Sequence, residues 1–162
     1  METIDELMQH TIQKLYAAEK QALHAMPQLA RQVQSEQLRE ALQVHQRETE
    51  GQVIRLEQIA KQLGIDSYGG TCMAMQGLIE EAQDLLAQLP TGPLADAAII
   101  GAAQQMEHYE MASYGTARTL AQQSGLSQIA ALLETTLKEE KAADGKLSYI
   151  ATHSVNHQAA QV

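Results

Sequence analysis

Apolar residues return at three- and four-residue steps along most of the chain, the period of helices that each bury one face. Thr3, followed three residues later by Glu6, has the form of a capping box, and the series behind it predicts a first helix over 3–33. Pro27 falls inside that helix and is expected to bend it without ending it, because Leu29, Ala30 and Val33 keep the period. Ser35 is placed to cap a second helix that runs to Leu63, with Gly64 suited to the left-handed turn that closes it. The stretch 65–70 reads as a turn and 71–89 as a shorter helix, after which Pro90, Gly92 and Pro93 break the chain. A third long helix is predicted from Pro93 to Gly125 and a fourth from Ser127 to about His153. The last residues, 154–162, carry no sustained apolar period and are expected to fray.

Short loops make each pair of long helices an antiparallel hairpin. The crossover of about thirty residues between the pairs lets the third helix start at the far end of the second. The predicted fold is therefore all-α: a ferritin-like four-helix bundle with a helical crossover, one domain over 1–153. An up-and-down bundle with a loosely attached fifth helix is the main alternative.

Composition agrees with the pattern. The chain has 162 residues, enough for one domain, with five Tyr, no Trp and no Phe, and it is rich in strong helix formers. A formal net charge of −9 without a basic cluster argues against nucleic acid and anionic membrane surfaces as partners. No apolar run approaches a membrane span, and the opening METIDELMQH lacks the basic and apolar segments of a signal peptide, so the expected compartment is the cytoplasm. The single cysteine, Cys72, can form neither an internal disulfide nor a thiolate metal cage and reads as a small core residue.

The chemistry shows where the inward seams are interrupted. The first helix presents Met8, Leu15, Glu19, Ala22, Met26 and Leu29, and the second Ala41, His45, Glu48, Gln52 and Leu56. The third presents Ile100, Ala103, Glu107, Glu110, Tyr114 and Ala117, and the fourth Leu133, Thr136, Glu140, Ala143 or Asp144, and Leu147. All four are apolar toward their ends and polar at the centre. Counting outward from the hairpin turns sets Glu19 level with Glu48, Glu110 with Glu140, and Glu107 with Asp144. Glu107 and Glu110 are about 4.5 Å apart along their helix axis, near the separation of paired metal ions. Several carboxylates in a low-dielectric core must either take up protons or bind cations. Oxygen donors with one imidazole suit two ions of iron or manganese, with zinc compatible. The candidate ligands are Glu19, His45, Glu48, Glu107, Glu110 and Glu140, with Glu48 and Glu140 as bridges, and no catalytic residue is expected apart from them. Tyr16, His108, Tyr114 and Asp144 are candidates for supporting those ligands. The competing reading is a set of surface glutamates on helices rotated by one position, which four interruptions at matched heights disfavour.

Long strings of the chain resemble a known family: LYAAEKQ at 15–21, the H-x-x-E-T segment at 45–49 followed by RLE at 55–57, CMAMQGLIEEA at 72–82, AAQQMEHYEMASYGT at 102–116 and TLKEEKAADGKL at 136–147. These are similar to the YciF/YciE-type stress proteins of bacteria, within the ferritin-like superfamily. The resemblance implies a rubrerythrin-like bundle, a di-iron or di-manganese centre, a homodimer and a role in general stress. Ferritin-like sites usually carry Glu-x-x-His on the second and fourth helices. Here the second reads His45-x-x-Glu48, and Glu140 has no following histidine. Three functions compete: a metal pair that consumes peroxide or reacts with oxygen, non-catalytic metal sequestration, and a metal-free structural or interaction module. Bulk iron storage is not expected, because the chain lacks the extra C-terminal helix of cage ferritins.

Overall fold

The computed structural model describes all 162 residues and contains six α-helices and no strand. They are α1 (Ile4–Ala30), α2 (Glu36–Leu63), α3 (Met73–Leu86), α4 (Pro93–Gln123), α5 (Ser127–Ile150) and α6 (Asn156–Ala159). The long helices pack α1 on α2, α2 on α5, α5 on α4 and α4 on α1, and α3 lies across α4 and α1. Since α2 neighbours α5 and not α4, the connectivity is that of a ferritin-like bundle and not an up-and-down one. No helix is long and apolar enough to cross a membrane.

Local chemistry sets the ends of the elements. Thr3 and Glu6 form the reciprocal capping box at the start of α1, and the Ser35 hydroxyl accepts from the Leu38 N–H at 3.3 Å. Gly64, with φ of 67°, closes α2, and the Ile65 N–H reaches back to the Ala60 carbonyl at 3.1 Å. The first helix ends three residues earlier than its sequence period suggests. Beyond Ala30 the backbone tightens into i to i+3 turns at Arg31, Gln32 and Val33, yet Val33 stays buried and so keeps the apolar period going outside the helix.

The C-terminal segment is also ordered differently from expectation. It does not fray after His153: a π-helical turn over Ala151–Val155 leads into α6. The reason is a four-residue step, Leu147, Ala151 and Val155, that carries the buried face of α5 onward, with Val155 wholly buried. His153 stacks on Tyr149 on the outside, with ring centroids 4.0 Å apart.

Asp96, in the first turn of α4, is a buried acid that the seam analysis missed. Its two oxygens accept from the backbone N–H groups of Gln34 and Ser35, each at 2.8 Å, and so fasten the α1–α2 loop to the crossover end of α4. Replacing it, Asp96→Ala, is expected to cost about 3 kcal/mol, since two backbone N–H donors lose their buried acceptor. Urea denaturation measures this, and an unchanged midpoint would contradict it. The crossover is held to α1 by Gln13, Lys14 and Gln21, which bond to backbone atoms of Asp66, Thr71 and Cys72.

The core is divided. One apolar cluster gathers the α1–α2 loop end, α3, the first half of α4 and Leu147–Val155, and a second gathers Met8–Leu15, Leu56, Ile59, Tyr114–Ala121 and Ile129–Leu137. Between them lies a polar layer supplied by all four long helices.

Candidate metal centre

Each side chain of the layer is delivered by a helix face that is apolar on both sides of it. Glu19 on α1, Glu107 and Glu110 on α4, and Glu140 on α5 are all at most 2% exposed, and His45 on α2 is buried beside them. His45 Nε2 stands 2.8 Å from Glu107 Oε1. One potential ligand atom from each of His45, Glu107 and Glu140 lies within 4.8 Å of the others, so the three can meet a single ion. Glu19 accepts a hydrogen bond from the Tyr114 hydroxyl at 2.5 Å.

Most of the remaining donor atoms in this layer have no partner. Counted as carboxylates, both oxygens of Glu140, Oε2 of Glu107 and Oε1 of Glu110 are buried without a hydrogen bond, and so is His45 Nδ1. Such groups cannot keep their charges without help. Burial, followed by repulsion from Glu140, pushes Glu19 up to about 8 despite the Tyr114 bond. Burial lifts Glu107 to about 7, while a hydrogen bond from Glu140 works the other way. Glu110 and Glu140 are raised well above the usual carboxylate range, again chiefly by burial. In the absence of cations, the acids of this layer hold protons to higher pH than ordinary carboxylates do.

Tyr114 is itself raised, by burial and then by the Glu19 charge. Removing its hydroxyl in Tyr114→Phe takes away a bond that favours ionised Glu19. The Glu19 carboxyl of the metal-free variant should therefore titrate higher still, as followed by carbon-13 NMR of labelled glutamate. A fall would show that the hydroxyl does not stabilise the carboxylate.

The structure does not bring every candidate into the layer. The Glu48 side chain is 40% exposed, at the edge, with an oxygen 3.9 Å from His45 Nδ1. Thr49 takes the inward position in its place. Its hydroxyl bonds the His45 carbonyl at 3.0 Å, so it is buried with its donor satisfied, and Glu48 rotates outward by one helical position. Tyr16 is not beside a candidate ligand: its hydroxyl donates to Glu57 at 3.0 Å, on the outer side of the bundle. His108 is largely exposed and bonds its own helix at the Gln104 carbonyl. Asp144 does not join Glu107 at the centre, because Gln104, one turn before Glu107, donates to it at 2.8 Å and holds it at the rim.

A further network escaped the sequence reading. Arg55 grips both oxygens of Glu139 at 2.9 and 3.0 Å and reaches the Thr136 hydroxyl at 2.5 Å, and the buried Gln52 amide donates to Glu139 at 3.2 Å. The clue was available in Gln52, an amide on the inward seam of α2, but its partner lies 87 residues away in the chain. By neutralising Glu139, Arg55 limits the negative charge next to Glu140.

Known proteins share the sequence and the fold of this bundle. A family model described as a domain of unknown function, DUF892, matches residues 3–160. The chain belongs to the DUF892 family. It is 43% identical over 160 residues to protein YciF of Escherichia coli K12, covering 98% of this chain and 96% of that one. The crystal structure of the E. coli stress protein YciF superposes on this DUF892 bundle with a TM-score of 0.91 over 96% of the chain and 99% of YciF. YcfI of Rhodopseudomonas palustris, 38% identical, does so at 0.89 over 91% of the chain and 94% of its own length. A Xanthomonas campestris protein at 20% identity shares the fold, at 0.79 over 98% of each chain. The resemblance to YciF-type proteins seen in the sequence strings thus extends over the whole DUF892 domain.

Proposed function

We propose that this protein binds two transition-metal ions, iron or manganese, in the acid layer and serves in the cytoplasm, under stress, by reacting with peroxide or oxygen. The observation that carries the reading is the group of buried, unpartnered carboxylate and imidazole atoms contributed by all four long helices. Hard cations suit such an oxygen-rich donor set with one nitrogen. His45, Glu107 and Glu140 would hold one ion, and Glu19 and Glu110 extend the donor set for a second, with Glu48 reachable at the edge. Bound metal of this kind would supply redox equivalents and a Lewis-acidic centre for small oxygen species. The chain's own part is to orient and to insulate. Tyr114 fixes Glu19, Arg55 offsets Glu139, and the two apolar clusters keep bulk water from the layer. The stress role is supported by the description of the E. coli relative as a stress protein.

Sequestration without turnover is the second reading, favoured by the single imidazole among the donors. Elemental analysis of protein purified without added metal is expected to give about two ions per chain, the number a paired site holds. Metal-dependent peroxide consumption then separates redox chemistry from storage. Protein that takes up no transition metal would remove both readings and leave a structural module. A homodimer is part of the same proposal, and light scattering should return twice the chain mass.

A further inference from the structure

Two cavities share His45 as a lining residue. The outer one is a cleft of about 170 Å³ between α2 and α5, walled mainly by Ala41, Val44, Ala142 and Ala143, with Glu48 and Lys146 also lining it. The inner one is a void of about 20 Å³ among Met26, Ile99 and Met106 that reaches Glu107 and Glu110. His45 and Leu42 line both.

We propose that the α2–α5 cleft is the entrance by which a small uncharged molecule of one or two heavy atoms reaches the acid layer, passing Leu42 to enter the inner void. The inference rests on the metal-binding reading of that layer. Alanines set the opening: where a larger side chain would bridge α2 to α5, three methyl groups leave space. Apolar walls oppose an ion, which would shed its water against them, and favour a neutral molecule. Glu48 and Lys146 carry opposite charges on the same cleft, so it steers neither cations nor anions strongly. The inner void has room for about one water-sized molecule, so size is selected there. Leu42 is 7% exposed and lines both spaces with an aliphatic side chain, which can change rotamer without breaking a hydrogen bond.

The test uses the full chain loaded anaerobically with ferrous iron and mixed in a stopped-flow instrument with nitric oxide, a neutral diatomic that binds ferrous iron. Iron content is measured for every sample. Ala143→Leu fills the cleft and is expected to slow nitric oxide binding by about tenfold, a barrier increase of ~1.4 kcal/mol, while Leu42→Ala shortens that shared side chain and is expected to speed it. Ala142→Leu, at an exposed position of the same wall, is measured beside them so that a packing defect at Ala143 cannot decide the result. Slowing by the two leucine variants and acceleration by Leu42→Ala, all with iron retained, supports the entrance. Unchanged rates in all three with iron retained overturn the entrance and leave the metal reading standing. Wild-type protein that holds no iron overturns both.

Discussion

Metal-free protein is expected to lose stability steadily as the pH rises from about 5 to about 8, the reverse of ordinary acid denaturation. The reason lies in Glu107 and Glu19, raised from 4.5 to about 7 and about 8. Below pH 4.5 both are protonated in folded and unfolded chains alike, and their contribution to stability is intact. As the pH climbs past 4.5 the unfolded chain releases these protons while the folded one still holds them. The folded state then binds more protons, so stability falls with pH until the folded groups ionise as well. Glu107 alone gives a loss of roughly 3 kcal/mol, from a displacement of about 2.5 units at 1.36 kcal/mol each. Glu19, Glu110 and Glu140 act in the same direction. A combined loss on the order of 5 kcal/mol corresponds to a fall of roughly 10–20 °C in Tm for a chain of this size. Saturating metal should abolish the trend, because cations bind the deprotonated acids and replace the protons. Thermal unfolding with and without chelator across this range measures both effects. A metal-free Tm that stays level or rises would mean that the acids are not buried as described.

Glu140→Gln is expected to move stability in opposite directions depending on metal. At pH 8 the metal-free variant should be more stable than the parent by about 2–4 kcal/mol, since an amide of the same shape is neutral at every pH, whereas the buried acid must either take up a proton on folding or carry its charge out of water. The same change should take away most of the metal-induced stabilisation, which for a tightly bound ion amounts to ~4 kcal/mol at a thousand times its Kd. Few other substitutions in a buried core are expected to stabilise. Glu48→Gln is the comparison: half exposed and outside the central group, it should change metal-free stability by less than about 0.5 kcal/mol. Equal effects from the two substitutions would remove the distinction between centre and edge.

The bundle was legible in the sequence because the cues at helix ends are local. Thr3 with Glu6, Ser35, Gly64 and Pro93 each act within one turn, and the crossover length then determines which helices can be neighbours. The polar layer was legible for a related reason: Glu19, His45, Glu107, Glu110 and Glu140 interrupt seams that are otherwise apolar, and all five are buried together. Glu48 could not be placed, because choosing between it and Thr49 is a rotation of one residue that the apolar spacing leaves open. What decided it was the ability of threonine to satisfy its hydroxyl on its own helix. Hairpin counting set Glu107 against Asp144, but Gln104 captures Asp144, and such side-chain pairings between distant segments leave no mark in a single sequence. The tail was misjudged because one valine at the right spacing, Val155, is enough to carry a buried face around a π turn.

X-ray diffraction from crystals of protein grown without chelator, recorded on both sides of the iron and manganese absorption edges, locates the ions directly. A two-ion centre predicts two anomalous peaks inside the bundle, one among His45, Glu107 and Glu140 and the other beside Glu19 and Glu110. Crystals whose only peaks lie on the surface, or whose acid layer shows none after soaking with either metal, would contradict it.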